Sequence, residues 1–145
     1  MKEITITISG SFHKHFSEIM NSIEKFNSLG VKVLSPEKSS IVNSENDFVF
    51  LEANKGKSMV EIQNEHISSI AKSDFLWIVD SDGYLGTSVA FELGYAVALG
   101  VPIFCKSKPN DKILGCYIKE FESEDHAIDT IKKYKDVYNS VLGRI

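Results

Sequence analysis

Cysteine and proline are scarce in this chain of 145 residues, which has two cysteines and three prolines. Cys105 and Cys116 stand in no metal-ligand spacing, and Cys105 ends an apolar run in which a small hydrophobic residue would pack. The shortage of cysteine argues against a disulfide framework and against a cysteine metal site. It predicts a reduced, cytoplasmic protein.

Long apolar runs and clusters of basic residues are also missing. The N-terminal stretch KEITITISG alternates polar and apolar residues, as a strand does, so it predicts neither a signal peptide nor a membrane span. The net charge is -4, and the lysines are scattered among acids without a stripe that could neutralise a row of phosphates. Membranes and nucleic acids are therefore not expected as partners.

The apolar pattern along the chain switches repeatedly between strand and helix. Ile4, Ile6 and Ile8 alternate with threonines up to Ser9-Gly10-Ser11, and this alternation predicts the first strand. The elements predicted after it are a helix from Phe12 to Leu29, a strand at 31–35, a loop at 37–57 with one helical turn around Phe48 to Glu52, a capping-box helix from Ser58 to Lys72, a strand at 74–80, a helix capped by Thr87 or Ser88 and ended by Gly100, strands at 101–105 and 116–121, and a helix from Glu124 to Leu142.

Strands that alternate with helices over short connections predict a parallel sheet with helices on both faces. A composition of 43% hydrophobic and 25% charged residues fits one globular domain over residues 1–145. We therefore expect an α/β fold, with a single-domain, doubly wound, five-stranded parallel sheet in a Rossmann-like or flavodoxin-like three-layer sandwich. Ligands bind such sheets beyond the carboxyl ends of the strands, so the candidate loops are Ser9 to Phe12, Ser35 onward, and Asp80 to Ser88.

One carboxylate, Glu92, stands in the otherwise apolar helix GTSVAFELGYA. The simpler explanation is that an acid early in a helix complements the helix dipole, which is worth about 0.3 to 1 kcal/mol. Gly94 favours a functional explanation, because a glycine inside a helix costs about 1 kcal/mol relative to alanine and indicates a close approach to the backbone. Ser88 lies four residues before Glu92 on the same helix face, so one side chain can hold a phosphate while the other reaches a sugar.

Two loop-to-helix junctions offer binding sites for an anion. Gly86 and Ser88 stand at the start of the Glu92 helix, where free backbone N–H groups and the helix dipole favour negative charge. Glycines at this spacing also serve ordinary turns. Ser9, Gly10 and Ser11 offer the same kinds of donor immediately before the first helix.

Other candidates are open to two interpretations. Phe12 could stack on a base or anchor the first helix in the core, and Asp80 follows a strand at the ligand-binding end although acids are common in such turns. His66 is a lone histidine on the second predicted helix, where a structural or surface role is more common than a catalytic one. His13 and His15 are two residues apart and cannot share a helix face, so no metal site is expected between them.

Three segments of the chain form a recognisable combination: ISGSF, SDFLWIVD and GTSVAFELGYAVALGVPIF. The combination resembles the nucleoside 2-deoxyribosyltransferase superfamily, which includes the 2′-deoxynucleoside 5′-phosphate N-hydrolases, over most of residues 4 to 105. The resemblance implies that Glu92 in the ELGYA motif is the catalytic nucleophile. It also implies that Ser9-Gly10-Ser11 and Ser88 hold the sugar and the 5′-phosphate of a small nucleoside or nucleotide, and that the protein is a homodimer.

Two positions depart from the pattern of the family. The family usually has an aspartate eight residues before the aspartate that matches Asp74, and here that position is His66, which can donate a proton near neutral pH. The transferases have an aspartate six residues before the glutamate, and here that position is Gly86, which argues against base exchange. We therefore expect an N-glycosidase that cleaves the base–sugar bond of a (deoxy)nucleoside 5′-monophosphate, with Glu92 as nucleophile and His66 as acid, and with no cofactor. The alternatives are a nucleoside 2-deoxyribosyltransferase, a non-catalytic nucleotide-binding module and an α/β domain whose function resides in a partner.

Overall fold

Strands and helices alternate along the chain in the computed structural model, which describes residues 3–45 and 48–142. The strands within these residues are β1 (Thr5–Gly10), β2 (Lys32–Ser35), β3 (Ile41–Glu45), β4 (Phe48–Leu51), β5 (Phe75–Val79), β6 (Ile103–Cys105) and β7 (Lys119–Glu120). The helices are α1 (Phe12–Ser28), α2 (Met59–Ala71), α3 (Thr87–Leu99), α4 (Lys112–Gly115) and α5 (Glu124–Leu142), with one turn of 3₁₀ helix at Glu52–Asn54.

Five of the described strands form one parallel sheet in the order β2-β1-β5-β6-β7. Helices cover both of its faces, so the predicted α/β three-layer sandwich is confirmed. With the strands of this sheet numbered along the chain, the order is 2-1-3-4-5, which is the flavodoxin-like arrangement. The order reverses at β1 and β5, which pair from Ile6–Phe75 to Gly10–Val79, and ligand sites in such folds lie beyond the carboxyl ends of these two strands.

The alternation in TITISG sorts apolar and polar side chains onto opposite faces of the sheet. The isoleucines of β1 pack with α1 and α5 in one apolar cluster, together with Phe26, Trp77 and Ile128. Thr7 and Ser9 are also fully buried, on the face that α2 covers, where the Thr7 hydroxyl lies 2.8 Å from the Ser73 hydroxyl. The polar positions of this strand are thus internal, and Ser9 is the last of them before the sheet ends.

Local capping follows the sequence at three helix ends. Ser11 caps α1 by accepting a hydrogen bond from the Lys14 N–H. Ser58 caps α2, with its hydroxyl oxygen accepting from the Glu61 N–H at 3.2 Å, so the N-cap half of the predicted capping box is confirmed; the Glu61 carboxylate accepts the Ser58 O–H at 3.0 Å. Gly100 ends α3 with a φ of +72°, a left-handed conformation that glycine adopts without steric cost.

Three predicted elements were wrong in detail. Residues 37–57 are not a loop with one helical turn, because β3 and β4 pair as an antiparallel two-stranded sheet there and the helical turn follows β4. The Phe-Val-Phe-Leu run that was assigned to a helical turn is rich in the aromatic and β-branched residues that strands favour. The final strand of the sheet has only two residues, and α4 precedes it. Gly86, rather than Thr87 or Ser88, is the N-cap of α3.

Both cysteines are free, Cys105 in the core and Cys116 at the surface. Burial, with a smaller contribution from the nearby Asp80 carboxylate, raises the pKa of the Cys105 thiol to about 12. Cys105 therefore packs in β6 as a small neutral side chain, in agreement with its apolar sequence context. No helix in the described part of the chain combines the length and the apolar character that crossing a bilayer requires.

Candidate active site

A cavity of about 760 Å³ opens at the carboxyl ends of β1 and β2, beside the N-terminus of the helix that follows β5. It is enclosed by the N-terminal ends of α1 and α3, one face of α2 and the β3–β4 hairpin. Eight of the nine predicted site residues line it: Ser9, Gly10, Ser11, Phe12, His66, Gly86, Ser88 and Glu92. The structure therefore brings together residues from three separate segments of the chain at the reversal of strand order.

Glu92 points inward from α3 and is buried, with 5% of its surface exposed. Its Oε2 accepts a hydrogen bond from the Gln63 side-chain amide at 2.8 Å, and its Oε1 lies 3.3 Å from Nε2 of His66. Both partners stand on α2, one turn apart, so the carboxylate is held between two helices. A role limited to complementing the helix dipole does not account for a buried carboxylate with two side-chain partners.

The pKa of Glu92 reflects opposing effects. Burial alone would raise the pKa, because a carboxylate loses hydration in the protein interior. The hydrogen bond and charge of His66, with further hydrogen bonds from Gln63 and Ser9, outweigh burial and hold the pKa of Glu92 below its ordinary value of 4.5. The direction of this shift favours the ionised carboxylate at neutral pH.

His66 connects this carboxylate to two serine hydroxyls. Its Nδ1 lies 2.6 Å from the Ser35 hydroxyl at the end of β2, and its Nε2 lies 3.2 Å from the Ser9 hydroxyl at the end of β1. When the ring is protonated, its Nδ1–H donates to the Ser35 hydroxyl oxygen and its Nε2–H points toward Glu92 and Ser9. The ring thus has a fixed orientation, and its proton-bearing edge faces the cavity beside the carboxylate.

The opposite end of the cavity lies between two helix N-termini. Ser11 caps α1, whereas Gly86 caps α3 without a side-chain hydrogen bond, so the first N–H groups of α3 are left without a side-chain cap. Thr87 and Ser88 occupy the first turn of α3 and also line the cavity. Two helix dipoles and several hydroxyls therefore converge on a place suited to an anion.

Gly10 is required by a close approach at the floor of the cavity. A Cβ on this residue would lie 3.0 Å from the Val79 carbonyl oxygen and 3.0 Å from Ile19 Cδ1, so a side chain here would crowd β5 and α1. Phe12 combines its two sequence interpretations, since it packs against the core cluster and also contributes to the cavity wall. Its ring meets Phe16 edge to face at 6.0 Å.

Asp80 is the predicted substrate-binding residue that the structure keeps out of the cavity wall. It is 2% exposed, and both carboxylate oxygens are buried without a hydrogen-bond partner. Its side chain lies among Asp82, Glu120 and Cys105, toward β6, whereas the cavity opens on the β1 side of β5. Asp80 therefore does not line the cavity, and its contact with substrate stays a prediction; a strand end has two sides, and the sequence does not say which one a side chain takes.

Metal binding has no geometric basis in the described part of the chain. No group of three or more His, Cys, Asp or Glu side chains there is arranged to hold a metal ion. His13 lines the cavity, whereas His15 turns to Asp82 at 2.8 Å, so the two histidines lie on different faces as expected.

Several residues of the site were not singled out from the sequence. Gln63 and Ser35 hold the carboxylate and the histidine, and Phe48 belongs to a hairpin whose inner side walls the cavity. Gln63 precedes His66 by three residues, a spacing that places both on one helix face and that could have identified it. No local signal indicates that Ser35 and Phe48 approach the same cavity.

Comparison with known proteins finds similarity in three dimensions only. No protein-family model matches the chain, and no curated protein matches it. BcmB, a CMP N-glycosidase from Clostridium botulinum, is similar with a TM-score of 0.53 and 14% identity, over 90% of this chain and 98% of that chain. A conserved protein from Enterococcus faecalis V583 is similar with a TM-score of 0.53 and 15% identity, over 77% of this chain and 72% of that chain. At these identities the similarity shows a shared fold.

Proposed function

We propose that this protein is a cytoplasmic N-glycosidase of the nucleoside 2-deoxyribosyltransferase superfamily, which cleaves the base–sugar bond of a (deoxy)nucleoside 5′-monophosphate. The observation that carries the proposal is the buried Glu92 carboxylate, 3.3 Å from Nε2 of His66, in a nucleotide-sized cavity. The fold shared with a CMP N-glycosidase supports it, as does the ELGYA motif around Glu92.

In the proposed reaction, Glu92 attacks the anomeric carbon as the bond from that carbon to the base nitrogen breaks. The departing base takes the bonding electron pair and receives the Nε2 proton of the protonated His66 ring, which is left as a neutral imidazole. Water then attacks the same carbon, its hydroxyl remains on the sugar, its proton returns to His66, and Glu92 leaves as a carboxylate. The lowered pKa of Glu92 supports this role, because a nucleophilic carboxylate must be ionised at the start of each cycle.

The phosphate is proposed to bind at the two helix N-termini, with Ser11 and Ser88 as hydroxyl donors and Ser9 and Gly10 near the sugar. Among the described residues that line the cavity, the one lysine is Lys57, and it pairs with Glu65 at 2.8 Å. Because this lysine is already paired, the phosphate charge would be balanced by the backbone N–H groups and the dipoles at the helix N-termini, which bind anions in many proteins.

We also propose that the protein is a homodimer that associates through the outer face of α3. Phe91 is 57% exposed on this face, three residues before Gly94, and Val97, three residues after it, is 38% exposed. The close approach expected at Gly94 is not made within the chain, since nothing lies within 4 Å of a Cβ placed there. A helix of a second copy that packs across Gly94 would account both for the glycine and for the exposed aromatic ring beside it.

The test is to incubate the protein with each ribo- and deoxyribonucleoside 5′-monophosphate and with the matching nucleosides, and to measure free base by liquid chromatography. Release of base from at least one monophosphate is expected, with slower release from its nucleoside. A second free base in the same reaction distinguishes transfer, which would yield a new nucleotide. A thermal shift with a nucleotide and no cleavage would instead favour a binding module and would reject the glycosidase.

A further inference from the structure

The loop that joins β5 to α3, residues 80–86, belongs only in part to the cavity. Tyr84 and Gly86 line the cavity, whereas Asp82 does not. Tyr84 is 40% exposed, and its hydroxyl oxygen lies 3.5 Å from the position of a Cβ on Gly86, so the ring stands at the α3 N-terminus. This ring therefore forms the wall at the end of the cavity where the substrate phosphate is proposed to bind.

Behind this wall lies a buried histidine that the proposed chemistry does not use. His15 is 4% exposed and is absent from the cavity lining. The backbone of α1 departs from helical geometry at His15, with φ of -125° and ψ of 24°, and the side chain turns toward the loop. There its Nε2–H donates to Oδ1 of Asp82 at 2.8 Å, and the same oxygen accepts the Tyr84 N–H at 3.1 Å. One carboxylate oxygen thus links α1 to the backbone of the residue in the cavity wall.

Further contacts hold the loop on both sides. The Lys14 ammonium lies 4.0 Å from the centre of the Tyr84 ring, a cation–π contact from the same turn of α1. Opposite α1, the Asn110 N–H donates to the Gly83 carbonyl at 2.9 Å, and Gly83 has a φ of +81° that favours glycine. The loop is fixed between α1 and the segment before α4, and His15 with Asp82 is its buried support.

We infer that His15 is a positioning residue that acts through Asp82 to set the Tyr84 ring against the phosphate end of the substrate. The inference rests on the proposed function for the identity of the substrate, and on the hydrogen bonds of Asp82 for the support of the loop. Glu92 follows Gly86 by six residues, which is about 9 Å along a helix. The loop is therefore remote from the bond that breaks in the proposed reaction. Its contacts stabilise the bound substrate and the transition state alike, which affects KM and leaves kcat largely unchanged.

The test compares KM and kcat, for the monophosphate that is cleaved, among four variants. His15→Ala and Asp82→Ala should each raise KM by about 5- to 10-fold with kcat within about twofold. Asp82→Asn retains an acceptor oxygen for both hydrogen bonds and should restore KM, and Asp82 is 52% exposed, so its replacement is compatible with folding. Asp125→Ala is the matched control, because it removes a half-exposed carboxylate that pairs with Lys25 of α1 at 3.0 Å, outside the cavity lining and away from the loop, and should leave KM unchanged.

A double mutant and a ligand-free measurement complete the design. Asp82→Ala combined with Tyr84→Ala should raise KM no further than Tyr84→Ala alone, because both act through one ring. Amide hydrogen exchange in a peptide spanning 81–86 should accelerate in Asp82→Ala and return to the original rate in Asp82→Asn, whether or not the wild-type protein releases base. Unchanged exchange in Asp82→Ala, additive KM effects or failure of Asp82→Asn to restore KM would each overturn the inference. Absence of base release with accelerated exchange would reject the proposed function and retain the support of the loop.

Discussion

Replacing Asp80 with asparagine should stabilise the protein in a manner that depends on pH. The Asp80 carboxylate is buried at the end of β5 with neither oxygen hydrogen bonded. Burial is the main reason that its pKa rises from 3.8 to about 7, and the negative charges of Asp82, Glu120 and Glu18 add to the effect. Asparagine has nearly the same shape and cannot ionise, so Asp80→Asn removes the part of the penalty that depends on pH.

The magnitude follows from the difference between the two ionisation midpoints. In the unfolded chain Asp80 loses its proton near pH 3.8, whereas the folded protein retains it up to about pH 7. Between these values the folded state binds more protons than the unfolded state, so the free energy of unfolding falls as pH rises, and above about pH 7 it stays low. At about 1.4 kcal/mol for each pKa unit, the full penalty is about 4 kcal/mol.

Urea denaturation monitored by circular dichroism provides the assay, with wild type and Asp80→Asn measured at intervals from pH 5 to pH 8.5. The difference in the free energy of unfolding should grow by about 1.4 kcal/mol per pH unit up to about pH 7 and then level off, with the variant more stable throughout. A difference that is the same at every pH would refute the reasoning. So would a variant that is less stable than wild type at pH 8.

Two further predictions concern the site and the assembly. His66→Ala removes a hydrogen bond and a charge that hold the pKa of Glu92 down, so the acidic limb of the pH–rate profile should move to higher pH. It also removes the proposed acid, so kcat should fall by about 10²- to 10⁴-fold. An acidic limb at the same pH as in wild type would contradict the coupling between His66 and Glu92. Phe91→Asp introduces a charge on the outer face of α3 and should halve the mass measured by light scattering, whereas Ile113→Asp, at an exposed position on α4, should leave it unchanged. Equal masses for both variants would place the dimer contact elsewhere.

The fold could be predicted from the sequence because the patterns that indicate its elements are local. The alternation in TITISG, the capping box at Ser58 and the glycine at the end of α3 each report on a few neighbouring residues, and together they imply a doubly wound sheet. The β3–β4 hairpin escaped detection because its short apolar runs have no period long enough to separate a strand from a helical turn.

The site could be predicted only in part, because its geometry depends on contacts between segments that are far apart in the sequence. Glu92 and Ser88 could be assigned to one helix face from their spacing alone. The hydrogen bond between Ser35 and His66 spans 31 residues, and that between Gln63 and Glu92 spans 29, so no window of sequence contains either pair. Asp80 is the opposite case, in which a local signal pointed to the cavity. Its position directly after β5 predicted a contact with ligand, whereas its side chain lies outside the cavity lining, near Asp82, Glu120 and Cys105.

The release of base by Glu92→Gln tests the central claim most directly. Glutamine keeps the size of the side chain and can still bond to its neighbours on α2, but it cannot act as an anionic nucleophile. Glu65→Gln is the matched control, since Glu65 is an exposed carboxylate at the mouth of the same cavity. With the monophosphate that wild type cleaves, kcat should fall by about 10³-fold or more in Glu92→Gln and stay within about twofold in Glu65→Gln. Release of base by Glu92→Gln at the wild-type rate would contradict the account.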